Sequence, residues 1–258
     1  MTQRIWYVGF NTFREAVRDR VLYNLVFFAL LLVGFTPLFG KISIGLERIV
    51  LVNLGLTAIT LFGIVIAIFI GTGLVSKEID KKTLYTVLAR PVRRWEFILG
   101  KYAGLAGTLA VNTFFMAIGF FVALLYVTHS FSRADVSLFA ALYFIGLEFL
   151  VITAIAMLFS TFSSPLFSAV FSFSLFVIGS FAEDLRGFAG LTEGATKWTV
   201  MAISYLVPNF GAMNVVSQVA HQQPVAANLL LNNSIYAVLY SAASLSAAIL
   251  IFERRDLK

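Results

Sequence analysis

Apolar positions in this chain fall into long unbroken runs separated by short polar links. Six runs reach or approach the roughly 20 residues that a helix needs to cross a bilayer. They are residues 21–39, 49–75, 103–127, 136–160, 166–182 and 234–252. Each is built mainly of Leu, Ile, Val, Phe and Ala, without the strict alternation of a half-buried strand. In lipid every backbone N–H and C=O must be satisfied within the segment or a closed sheet, so the runs predict spanning helices. Only "TFSSP" separates the fourth run from the fifth. Its serines and Pro165 predict a hairpin rather than one long kinked helix.

The links between the runs are patterned too. In residues 1–20, Trp6, Phe10, Phe13 and Val17 share one helical face, while Arg14, Arg18 and Asp19 lie off it. That pattern predicts an amphipathic elbow helix in the headgroup layer, either an anchor or a lever on the first span. In residues 183–233, Trp198, Met201, Ala202, Tyr205 and Leu206 recur at helical spacing. They predict a helix ending near Pro208, lying on the outer leaflet or dipping back as a cap.

Residues 76–101, "SKEIDKKTLYTVLARPVRRWEFILGK", carry ten charges in twenty-six positions. Ser76 is the expected N-cap of a new helix, with Glu78 and Asp80 in its first turn. Leu84, Val87 and Leu88 make an apolar stripe, and Arg90-Pro91 breaks the helix. "PVRRWEFILGK" then leads into the third span, so two short helices with a bend are predicted. A loop that only fixes topology needs basic residues alone. The interleaved acids, the fixed break and Trp95 favour a docking element for a partner.

Composition agrees with the runs: 60% of residues are apolar and 12% charged, with a mean hydropathy of +0.91. The net charge of +6 does not point to nucleic acid, because the basic residues flank the runs. With six spans both ends share one side. That side holds fourteen basic residues, among them Arg4, Lys77, Arg93 and Arg255. The other side holds five: Lys41, Arg48, Arg133, Arg186 and Lys197. The positive-inside rule therefore puts both termini and residues 76–101 in the cytoplasm of a multi-pass protein.

The first run follows a long polar lead and has no convincing cleavage site, so it reads as a retained span. The sequence has no cysteine and no G-x-x-x-x-G-K-[ST] phosphate loop. Its two histidines, His129 and His221, fall in predicted outer loops, and no H-E-x-x-H or G-x-S-x-G motif occurs. No catalytic or metal-binding set is expected, and the chain does not read as an enzyme.

One acid, Glu148, lies well inside a span. Placing its charge at mid-bilayer costs about 2.5–3.5 kcal/mol on insertion scales. It reads either as a substrate-path or proton-linked residue, or as an interhelical hydrogen-bond partner of Asn53 or Asn112. Gly100-x-x-x-Gly104, with Gly107, opens the third span; that spacing lets helices approach closely, for packing or as a dimer seam. Gly63, Gly71 and Gly73 in span two admit the same reading.

The segment "SKEIDKKTLYTVLARPVRRWEFILGKYAG" resembles the cytoplasmic coupling segment of the type-2 family of ABC transporter permeases, matching at Glu78, Thr83, Leu88, Pro91, Arg94, Phe97, Gly100 and Lys101. Lys82 stands where many members have Gly. "DKKTLYTVL" is most similar to the branch associated with multicopper-enzyme maturation, such as the nitrous-oxide-reductase assembly permease. "YLVPNFGAMN" (205–214) and "FERRDL" resemble that branch's Pro-Asn-Phe segment and short basic tail.

The resemblance covers nearly the whole chain and implies a single all-α permease domain, 1–258, with an elbow helix, six spans, a coupling helix and a partly helical outer segment. It implies a bacterial inner-membrane subunit of an ATP-driven transporter, expected to export. The chain itself would bind no cofactor, with ATP and Mg held by two cytoplasmic ATP-binding subunits. A second permease chain, identical or related, membrane lipids and an external accessory protein are the other partners implied. Glu78, Asp80, Lys81, Thr83, Leu84, Tyr85, Leu88, Arg90, Pro91 and Arg94 would meet the ATPase. Glu148, Asn53 and Asn112 would line the substrate path; Trp198, Tyr205, Pro208, Asn209 and Phe210 would form the outer cap. A proton-coupled secondary transporter using Glu148 and a non-transporting scaffold for a cytoplasmic partner remain alternatives. Nothing in the sequence names a substrate.

Overall fold

The computed structural model describes residues 2–18, 26, 27, 30, 34, 47–80, 93–129, 132–191 and 193–254; for 2–4, 18, 74–80, 133 and 134 it describes the backbone alone. Among the described residues all regular structure is helical. The helices are α1 (Thr2–Arg18), α2 (Glu47–Asp80), α3 (Arg94–Thr128), α4 (Ser137–Ser160), α5 (Pro165–Ser180), α6 (Ala182–Leu191), α7 (Gly194–Leu206), α8 (Val216–Ala220) and α9 (Ala227–Arg254). Short 3-10 turns occur at Arg133–Val136 and Gly211–Met213.

Helices α2, α3, α4 and α9 are each long and apolar enough to cross a bilayer. Two further pairs reach that length only together: α5 with α6, bent by 55°, and α7 with Gly211–Ala220, bent by 52°. The protein is an integral membrane protein of the all-α class. Its first expected span, residues 21–39, lies outside the described residues except at 26, 27, 30 and 34.

α4 is the centre of the bundle and touches α2, α3, α5 and α9. Every residue from 151 to 157 is buried, as expected of a helix that is apolar on all sides. Lipid tails are as apolar as Leu, so these contacts are held by close packing rather than by exclusion of water. Glycines supply the space: the ring of Phe120 in α3 lies over Gly55 of α2, and that of Phe149 in α4 over Gly63. The α4–α5 hairpin forms as expected, with Pro165 opening α5, where its missing N–H would have had no partner.

One expectation is corrected. Ser76 does not start a helix, because α2 continues through it to Asp80. Lengthening an existing helix avoids the nucleation cost of starting another, and Lys77, Glu78, Ile79 and Asp80 contain no breaker.

The N-terminal helix forms as α1, and its docking face is one the sequence reading did not name. Its buried face is Gly9, Thr12 and Ala16, while Trp6 and Phe10 are exposed and stack on each other with ring centroids 6.4 Å apart. The small face docks on α3 in register, Val8 at Gly100, Gly9 and Thr12 at Gly104, and Phe13 at Gly107. The glycine spacing read from the sequence is therefore a packing seam for α1. A Cβ on Gly104 would collide with the Gly9 carbonyl.

At the end opposite residues 76–101, Arg48 of α2 gathers three elements. It pairs with Asp135 in the 3-10 turn before α4, and its Nη1 donates to the Ala220 carbonyl at the end of α8 at 2.9 Å. Asp135 is buried and also accepts from the Ser132 N–H at 2.7 Å.

Candidate functional site

Three places in the bundle carry polar groups that a simple membrane anchor would not need. The first is the basic end. Of the ten residues expected to face an ATPase, Glu78 and Asp80 sit on the last turn of α2. Lys81, Thr83, Leu84, Tyr85, Leu88, Arg90 and Pro91 lie outside the described residues. Arg94 opens α3 and turns inward: its Nη1 donates to the carbonyls of Phe252 (2.8 Å) and Glu253 (2.9 Å), and its guanidinium lies 5.8 Å from the Phe252 ring centroid.

Those carbonyls lie in the last described turn of α9 and have no intrahelical donor among the described residues, so a cation there satisfies them and suits the helix dipole. Phe97 stacks on Phe252 at 6.2 Å. The Glu96 carboxylate accepts from the Arg93 N–H at 2.9 Å and closes the start of α3. Lys101, buried beside the Phe97 ring, reaches Glu15 of α1 at 4.0 Å. α1, α3 and α9 are thus tied together around the first turns of α3.

Arg94→Ala should lower stability by about 1.5–3 kcal/mol, the range for hydrogen bonds made by charged groups. Arg94→Lys should recover only part of it, because a single ammonium cannot reproduce the planar fork. Thermal unfolding of the purified chain in detergent reads both.

The second place is Glu148, near the middle of α4. It is buried, and its Oε2 has no hydrogen-bond donor among the described residues. The predicted bond to an asparagine does not form. The Asn53 amide donates to Ile49 O at 3.0 Å within its own helix, and the Asn112 amide lies 3.4 Å from the Met116 sulfur. Glu148 instead lines a cavity of about 50 Å³ with Thr57 and Thr60 of α2, Ala141 and Ile145 of α4, and Met213 to Val216. The three expected path residues are therefore not gathered around one cavity; two threonines and an irregular link take the place of the asparagines.

The third place is that link. Pro208, Asn209 and Phe210 are buried between the ends of α5 and α9. The Asn209 N–H donates to the Tyr236 hydroxyl at 2.9 Å, the Asn209 Oδ1 accepts from the Ala212 N–H at 3.1 Å, and the Asn233 amide donates to Ala212 O at 3.1 Å. The Phe210 N–H donates to Gly179 O at 3.1 Å, and its ring meets Phe176. Irregular backbone at this depth needs such partners. Gly179 permits the crossing, since a Cβ there would collide with the Pro208 carbonyl.

Trp198 and Tyr205 do not join this plug. α7 leaves them 73% and 67% exposed and buries Ser204 instead. The Arg186 guanidinium of α6 holds α7 from that small side, donating to Ser204 O at 3.2 Å and lying 5.0 Å from the Tyr205 ring centroid.

The Arg48 clasp and the Thr57–Thr60 wall were not read from the sequence. Their one signal is position: Arg48 and Asp135 each immediately precede an apolar run. A family model described as ABC-2 family transporter protein matches residues 4–257. No curated protein matches the chain.

Proposed function

The chain belongs to the ABC-2 transporter family, and on that premise we propose that it is the force-receiving membrane subunit of an ATP-driven exporter. It works as a pair of permease chains, identical or related, above two cytoplasmic ATP-binding subunits. No phosphate loop occurs in its 258 residues, so the nucleotide is held outside them.

The observation that carries the coupling reading is the construction of the basic end. α2 runs past its apolar stretch to Asp80, and α3 begins at Arg94, ahead of its own apolar stretch. Residues 81–93 thus link two membrane-crossing helices that both project on the side with most positive charge. A push there is delivered to α2 and α3 directly, and through Arg94 and Lys101 to α9 and α1. Closure of the ATPase pair would move these helices together and open a path between the two permease chains. Trapping of the Pro208–Phe210 link between α5 and α9 suits it to close the far end of that path.

Co-purification with the ATPase after substitution tests this. Glu78→Lys combined with Leu88→Asp should abolish ATPase association and leave the permease folded. Arg94 is left intact, because its change would disturb α9. Full ATPase association and wild-type transport in that variant would refute docking at residues 76–91.

A further inference from the structure

The Glu148 cavity plays no part in the coupling reading and is independent of it. Its wall is chemically lopsided. Among the described residues Glu148 is the only ionisable one lining it, no Lys, Arg or His faces the carboxylate there, and Oε2 lacks a donor. The Thr60 hydroxyl donates to Leu56 O at 3.0 Å, so its oxygen has only lone pairs left to offer. The cavity therefore presents oxygen acceptors to a space that supplies no positive charge of its own.

We propose that this cavity is a binding site for one small monovalent cation, held by Glu148, Thr60, Thr57 and the backbone of Met213–Val216. Hard oxygen ligands suit a hard ion. A single carboxylate balances one positive charge, and a divalent ion would leave an uncompensated charge in lipid. A volume of about 50 Å³ holds an ion with one water, which occupies about 30 Å³, and is too small for an organic substrate. Thr57 and Asn214 are exposed at the rim, which gives the ion its entry.

The ligands come from α2, from α4 and from the link that follows the Pro208–Phe210 plug. An ion in this place clamps that link onto the bundle. Charges on the elements packed around the cavity stand elsewhere: Arg48 is paired with Asp135 at the end of α2. Sodium and hydronium share the required chemistry, and the test separates them.

The full chain in lipid nanodiscs is unfolded by heat in NaCl, KCl or choline chloride at constant ionic strength, and again across a pH series in choline. If the ion is sodium, the midpoint rises saturably with NaCl alone. Glu148→Gln then abolishes the rise, and Thr60→Val raises the half-saturating concentration about tenfold, equivalent to ~1.4 kcal/mol. If it is hydronium, the midpoint follows pH but not the choice of salt, and Glu148→Gln is flat. Should Glu148→Gln fail to fold, Thr57→Val and Thr60→Val carry the test. The proposal is overturned if the variants respond like wild type to every salt and pH, or if all three salts act alike and no pH response depends on Glu148. Because the readout is binding to the permease alone, neither result depends on the ATPase.

Discussion

Replacing Arg48 with Met should lower the stability of the chain by about 3–5 kcal/mol, the cost of leaving one partner of a buried ion pair behind. Asp135 keeps 4% of its side chain exposed and would be left, among the described residues, with only the Ser132 N–H as a donor. The Ala220 carbonyl would lose its guanidinium donor in the same step. The loss is therefore both energetic and geometric: α2, the turn before α4 and the end of α8 come apart. Adding Asp135→Leu should restore more than half of the stability, because the charge that needed a partner has gone.

Thermal unfolding of the two variants gives the energies. The geometry can be read with one introduced thiol, since the chain has no cysteine of its own. Ala220→Cys, buried at 1% exposure, should react slowly with a membrane-impermeant maleimide in the parent and quickly once Arg48 is Met. Equal reaction rates would mean that Arg48 does not hold this end shut.

Spanning helices were legible because long apolar runs have one common solution in lipid. The runs at 49–75, 103–127, 136–160 and 234–252 all reappear as α2, α3, α4 and α9, each lengthened at one or both ends except α4. The faces by which helices dock were not legible, for a physical reason. In water a large apolar stripe marks the buried side of a helix. Beside lipid, large apolar side chains are also at ease facing outward, and close helix contact selects small residues. The stripes read in α1 and α7 therefore face outward, as they can beside lipid, while the docking faces went unread: Trp6 and Phe10 look out while Gly9, Thr12 and Ala16 dock, and Trp198 looks out while Ser204 is buried. The Gly100–Gly104 spacing carried the better signal, because it speaks of approach distance rather than polarity.

The polar sites divide in the same way. Glu148 stood out because a lone acid in a span is expensive wherever it ends up. Its companions did not, because Asn53 satisfies its amide one turn back along its own helix, which sequence distance to Glu148 cannot reveal. Arg94 matched a family motif and read as a contact for the ATPase. The carbonyls of α9 that it meets are about 160 positions away, at separations of 158 and 159, so sequence reading could not see them. Ser76 looked like a start signal only because a helix N-cap and a polar residue inside a long helix are the same letter.

Gly104→Ala should destabilise the protein, although the same change in an ordinary helix interior stabilises it by about 1 kcal/mol. The difference lies in what the new methyl meets. At Gly104 it runs into the Gly9 carbonyl, with the Thr12 Cβ only 2.7 Å away. Both belong to the docked face of α1, and a backbone carbonyl cannot rotate aside as a side-chain end can. The expected penalty is about 1–3 kcal/mol for overpacking, and Gly104→Val should exceed Gly104→Ala. Gly146 in α4 is the control: no atom lies within 4 Å of a Cβ built there, so Gly146→Ala should be neutral or stabilising. Tryptic cleavage at Arg14 gives a second readout, since a freed α1 is cut faster than a docked one. If Gly104→Ala raised stability as Gly146→Ala does, α1 would not rest on this seam. The route by which α3 passes movement to α1 would then fail with it, since Lys101 and Glu15 meet only because the two helices lie this close.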